Sequence, residues 1–115
     1  MRYALLICDD ESARLARSPE EDAAQMARYA TFAEEMGGRG LLQGGERLRP
    51  TGDATCVRVR DGEVLTSDGP FAETKEQIGG FYLVDCRDLD EAIEVASSLP
   101  GARFGSIEVR PIWEM

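Results

Sequence analysis

Histidine is missing from this chain altogether, and lysine occurs once, at position 75. The first absence removes the side chain that most readily exchanges protons near neutral pH. With it go Ser-His and Cys-His nucleophile pairs and the common Cys/His zinc sites. Any general acid or base must be Asp, Glu, Lys, Tyr or Cys. Basic residues are outnumbered, 13 against 22 acidic, for a net charge of −9. Nucleic acid is held by clustered Lys and Arg, and here the arginines are scattered, so direct nucleic-acid binding is not expected. Cys8, Cys56 and Cys86 are odd in number, widely spaced and without a Cys-x-x-Cys pair. Each lies in or at the end of an apolar strand-like run and reads as a small buried hydrophobe, with a reactive thiol as the alternative. No stretch approaches the roughly 20 apolar residues of a membrane span. The apolar opening turns acidic at Asp9, too early for a signal peptide, which gives a cytoplasmic protein with no membrane contact as the expectation. No phosphate-cradling loop or dinucleotide fingerprint is present, so no cofactor is implied.

What is present reads as one domain over residues 1–115. Residues 2–8 form a strand with both faces apolar, Tyr3, Leu5 and Ile7 on one and Ala4, Leu6 and Cys8 on the other. A polar loop is expected from Asp9 to Ser18. Ser18-Pro19-Glu20-Glu21 then opens a helix, with Ser18 as N-cap and Glu21 closing a capping box. Met26, Tyr29, Ala30, Ala33 and Met36 recur along it at helical spacing, and Gly37-Gly38 ends it. A second strand covers Leu41 to Leu48, with Gly44-Gly45 marking a bulge or a close backbone approach. Residues 55–60 alternate as a half-buried strand, and Asp61-Gly62 turns into a short strand from Glu63 to Thr66. Phe81 to Asp85 is the next strand. Asp88 starts a helix whose apolar stripe is Leu89, Ala92, Ile93, Ala96 and Leu99, with Pro100-Gly101 as its stop. Ser106 to Ile112 closes the chain's strands.

With the minor hairpin left out, the order is strand, helix, two strands, helix, strand. That is an α+β, ferredoxin-like β-α-β-β-α-β pattern, an antiparallel sheet with both helices on one face. The apolar second face of the first strand then needs a cover, most simply the sheet of an identical subunit. A homodimer is expected.

The stretch from Ser67 to Gly80 is the most distinctive. Asp68-Gly69-Pro70-Phe71, followed by Glu73, Lys75 and Gly79-Gly80, resembles the signature of the YCII-related (DGPF-domain) family nearly letter for letter. The resemblance extends from Arg2-Tyr3-Ala4-Leu5-Leu6-Ile7 to Glu108-Val109-Arg110-Pro111, with Gly45-Glu46-x-Leu48 between. It implies a dimeric α+β barrel in which two sheets meet face to face. It also implies a signalling role, because family members often accompany extracytoplasmic-function sigma factors. Some members of the wider group carry a His near an Asp, a pair proposed as an acid–base dyad; this chain has no His, so that dyad does not carry over.

Two readings of the signature stand side by side. Asp68 is either an Asx-turn acceptor for nearby amides, or a carboxylate at a pocket mouth with Phe71 as apolar wall and Lys75 as counter-charge. Glu73 joins Asp68 and Lys75 as a candidate for proton transfer, and Lys75 would need burial to serve. Arg58, Arg60, Glu108 and Arg110 alternate on two strands. They either line a charged pocket for a carboxylate or enolate, to which Glu46 adds, or make an ordinary wet surface. Asp9-Asp10-Glu11 is weighed as a hard-cation site and read instead as solvated loop, with no metal. Functionally, the chain is read as a small-molecule-binding, regulatory module. The alternative is a cofactor-free lyase or isomerase using carboxylate acid–base chemistry, and a scaffold acting through its acidic surface is a third reading.

Overall fold

The first strand sets the layers. In the computed structural model, which describes residues 1–115, β1 (Arg2–Asp10) alternates strictly. Tyr3, Leu5, Ile7 and Asp9 are buried and the residues between them half-buried. Side chains two apart share a face, so one face of β1 is covered and the other is not. β1 pairs antiparallel with β5 (Glu76–Asp85) on one side and β6 (Ser106–Pro111) on the other. β2 (Leu42–Arg47) adds beyond β5, giving the order β2-β5-β1-β6. β3 (Thr55–Arg60) and β4 (Glu63–Asp68) make a separate two-stranded sheet. With α1 (Glu11–Leu15), α2 (Pro19–Gly38) and α3 (Leu89–Ser97), the fold is α+β with antiparallel sheets, consistent with the ferredoxin-like expectation.

The main helices begin where their sequences dictate. Ser18 Oγ accepts from the Glu21 amide at 3.1 Å, and the Glu21 carboxylate accepts from the Ser18 amide at 3.3 Å. Two otherwise orphaned amides are thereby satisfied. Asp88 caps α3 in the same way, accepting from the Glu91 amide at 2.9 Å. The buried stripes differ from expectation. α2 buries Gln25, Phe32 and Met36, while Ala30 is exposed. α3 buries Ala92, Val95 and Ala96, continued by Leu99, and leaves Leu89 and Ile93 exposed. The sheet-facing line runs 92, 95, 96, 99, a cleaner helical repeat than one through 89 and 93. These side chains meet Tyr3, Leu5, Ile7 and Val84 in one core.

The opposite face carries Ala4 and Leu6 of β1 beside Leu83 and Phe81 of β5, all half-buried and none in that core. The molecule is accordingly thin, 47 × 43 × 19 Å, with a radius of gyration of 15.9 Å. A compact chain of this length has about 13 Å.

Four local expectations are corrected. The loop after Cys8 is instead two further residues of β1 followed by α1. β4 runs to Asp68 and β5 starts at Glu76, because both ends of the signature stretch find ladder partners. Val57 and Val59, placed on a half-buried strand, are 62% and 58% exposed because nothing covers the β3–β4 sheet on that side. Among the cysteines only Cys86 is fully buried, Cys8 and Cys56 being partly accessible. The Asp61-Gly62 turn is as expected, both residues having positive φ (51° and 75°), the hairpin geometry that suits Asn/Asp-Gly.

Candidate functional site

The three acidic residues after the first strand diverge. Asp9 continues the buried face of β1, one step beyond Ile7. Asp10 is the N-cap of α1, accepting from the Ser12 amide at 3.0 Å. Glu11 accepts from the Thr51 amide at 2.9 Å, tying α1 to the short turn before β3. The solvated-loop reading of this triplet is therefore corrected: Asp9 is 8% exposed.

Asp9 faces a cavity of about 200 Å³ between the sheet, α1 and α2. Arg14 of α1 reaches the same space, its side chain 10% exposed, with Nε 3.4 Å from Asp9 Oδ1. The pair is close but poorly aligned, and neither of those two buried atoms has a hydrogen-bond partner. A buried polar atom left without one costs about 1–3 kcal/mol. Arg17, Gln25, Tyr29, Met26 and Tyr82 complete most of the wall. Gln25 is buried, with its carbonyl oxygen accepting from Arg28 at 3.2 Å.

Glycines shape the space. β5 carries one residue more than β1 between Gly80 and Ile78, a bulge that falls on Gly79. A Cβ there would lie 2.8 Å from the Arg14 guanidinium. A Cβ at Gly101 would lie 2.7 Å from the Tyr29 hydroxyl, and one at Gly45 would lie 2.5 Å from the Tyr82 ring. Each wall side chain thus occupies room that a glycine leaves open, and bulges beside functional sites are a recurrent device. Burial raises the Asp9 carboxyl above its ordinary range, although Arg14 and Arg17 pull the other way. Burial likewise raises Tyr29 and Tyr82.

The residues singled out from the sequence lie elsewhere. Asp68 ends β4 opposite Thr55 and is exposed. Phe71 is 84% exposed, with the Arg58 guanidinium 6.0 Å from its ring centre. Glu73 and Lys75 border an open groove shared with Asp10, Glu11 and Thr51, which includes neither Asp68 nor Phe71. Arg58 and Arg60 belong to the β3–β4 sheet and Glu108 and Arg110 to β6, so the four do not share a face. Glu108 is paired with Arg110. Glu46 pairs with Phe81 in the ladder, so its side chain leaves on the open face, and its contribution to the cavity is its backbone next to Gly80. The sequence alone places Asp9 in a solvated loop and gives Arg14, Gln25 and Tyr29 no part in a site. The alternation Tyr3, Leu5, Ile7, carried one step further, would have put Asp9 on the buried face.

Two comparisons fit this architecture. An uncharacterised protein of Rhizobium meliloti (strain 1021) is 46% identical over 114 residues, covering 97% of this chain and 92% of its own. The model of the YCII-related domain matches residues 1–115, and the chain belongs to that family.

Proposed function

We propose that this protein is a dimeric small-molecule-binding module whose ligand occupies the Asp9–Arg14–Tyr29 cavity. One observation carries the reading. A mostly buried carboxylate and guanidinium pair at 3.4 Å in the wall of one cavity, each with a buried atom that lacks a hydrogen-bond partner. Ligand sites are typically apolar hollows with a few convergent polar groups, which is the character of this wall. The cavity is smaller than the usual 300–1,000 Å³, so its ligand is a small metabolite. The dimer is supported by the uncovered Ala4–Leu6–Phe81–Leu83 face and by the thinness of the single chain. The regulatory, sigma-factor-associated role belongs to the same reading and rests on the family resemblance.

Crystals soaked in a metabolite mixture test the assignment. Density is expected in the cavity beside Asp9 and Arg14, lost in Arg14→Met and retained in Asp68→Asn and Lys75→Met. Density against Asp68 and Lys75, with the cavity empty, would overturn it.

A second reading is cofactor-free acid–base catalysis of a lyase or isomerase. It is favoured by the burial that raises the Asp9 carboxyl, as a general base working near neutral pH requires. It expects Asp9→Asn to bind ligand but exchange none of its protons with deuterated solvent. Equal exchange in the variant sinks it.

A further inference from the structure

Resting on the cavity reading above, we infer that the ligand is a small organic monoanion, an α-hydroxy carboxylate. Arg14 and Arg17 line the cavity against one lining carboxylate whose side chain points inward, Asp9. Arg47 also borders the space but is spent on Asp22 at 3.4 Å and on the Met26 sulfur at 3.3 Å. The Glu46 side chain leaves on the other face of the sheet. The lining therefore has one positive charge in excess, and such an excess in a poorly solvated hollow is relieved by a single negative charge.

Hydrogen bonding narrows the class. A planar guanidinium is the side chain best matched to a carboxylate, which it can hold through two parallel bonds. Such a carboxylate beside Asp9 would repel it unless a donor stood between them. A hydroxyl on the neighbouring carbon is that donor. It gives its proton to the Asp9 carboxylate while the ligand carboxylate accepts from the Arg14 guanidinium, both of which line the space. A cationic ligand would satisfy Asp9 but meet two guanidiniums. A dianion would bring a second charge against Asp9.

Size agrees. A dry cavity of about 150 Å³ holds benzene, so about 200 Å³ holds roughly eight heavy atoms. Ile7, Met26 and Tyr82 offer apolar wall for a short carbon chain.

The test uses four three-carbon probes on the unaltered chain: lactate, propionate, propylene glycol and alaninol. Each is titrated at low salt while the amide signals of Gly79 and Gly80 are followed by NMR. Lactate is expected to saturate those signals at about one-tenth the concentration that propionate needs, the effect of one added hydrogen bond. Propylene glycol and alaninol are expected to be weaker still. Equal or tighter binding of the alcohol or the amine at these glycines overturns the monoanion inference and leaves the cavity reading standing. Silence of all four probes also overturns the inference. The cavity reading itself is tested separately by the metabolite soak, and falls if that soak leaves the space empty.

Discussion

Leu6→Asp is expected to split the protein into folded monomers. Leu6 sits in the middle of the uncovered face, beside Phe81 of β5, and belongs to no core contact set. The single chain exposes 7764 Å². A folded monomer of its 12.6 kDa mass exposes about 6,200 Å² by the usual size scaling. The excess is about 1,500 Å² per chain, or about 3,000 Å² for a pair, within the range of obligate homodimers. An aspartate at position 6 would bury one unpaired carboxylate per subunit, and two-fold symmetry counts it twice. At about 3 kcal/mol each the dimer loses about 6 kcal/mol, roughly four decades in dissociation constant. Sedimentation velocity at micromolar concentration should show the unaltered chain at twice the 12.6 kDa monomer mass, and the variant at that mass with its circular dichroism retained. Unaltered protein sedimenting as a monomer, or Leu6→Asp remaining a dimer, would exclude this face as a dimer interface.

Leu5, fully buried on the other face of the same strand, gives a contrasting outcome: Leu5→Ala should cost about 3–5 kcal/mol in denaturant unfolding at fixed protein concentration. Gly79→Ala places a Cβ 2.8 Å from the Arg14 guanidinium, the movable end of a flexible side chain. It should change stability by under about 1 kcal/mol while weakening any cavity ligand at least tenfold, as read by calorimetry. Arg2 donates from Nε and Nη2 to the two Glu114 oxygens at 2.7 and 2.9 Å, and this pair lowers the Glu114 carboxyl below its ordinary range. A lowered carboxyl contributes stability above its unfolded-state pKa and loses it as pH falls through the folded value. The clasp should therefore persist through ordinary glutamate titration and open only in stronger acid, visible in the Glu114 carboxyl carbon shift.

The helices were legible because their signals are local. Ser18, Glu21 and Asp88 cap by contacts within a single turn, and Asp61-Gly62 turns the hairpin by its own backbone freedom. The uncovered sheet face was legible too, since Ala4 and Leu6 are apolar on a side that the two helices cannot reach. The candidate cavity was not, for three reasons. Asp9 looks like the start of a polar loop until the ladder with Gln77 extends β1 past it. Arg14 lies on a helix of five residues, too short for a periodic signal. The cavity exists only because a bulge at Gly79 in β5 meets α1, some 65 residues earlier in the chain, and such a meeting leaves no mark in either segment alone. The signature loop drew attention for the opposite reason. Its turn formers and charges are conspicuous in sequence, yet Asp68, Phe71 and Lys75 spread over an exposed edge.

The Asp9–Arg14 cavity is expected to bind a small molecule. Amide NMR of the unaltered chain, before and after addition of a cell-derived metabolite extract, tests it most directly, because Gly79 and Gly80 report from the cavity wall. The expected shifts concentrate at Asp9, Arg14, Gly79 and Gly80 and disappear in Arg14→Met. Shifts confined to residues 69–75, or shifts at the cavity that persist unchanged in Arg14→Met, would contradict it.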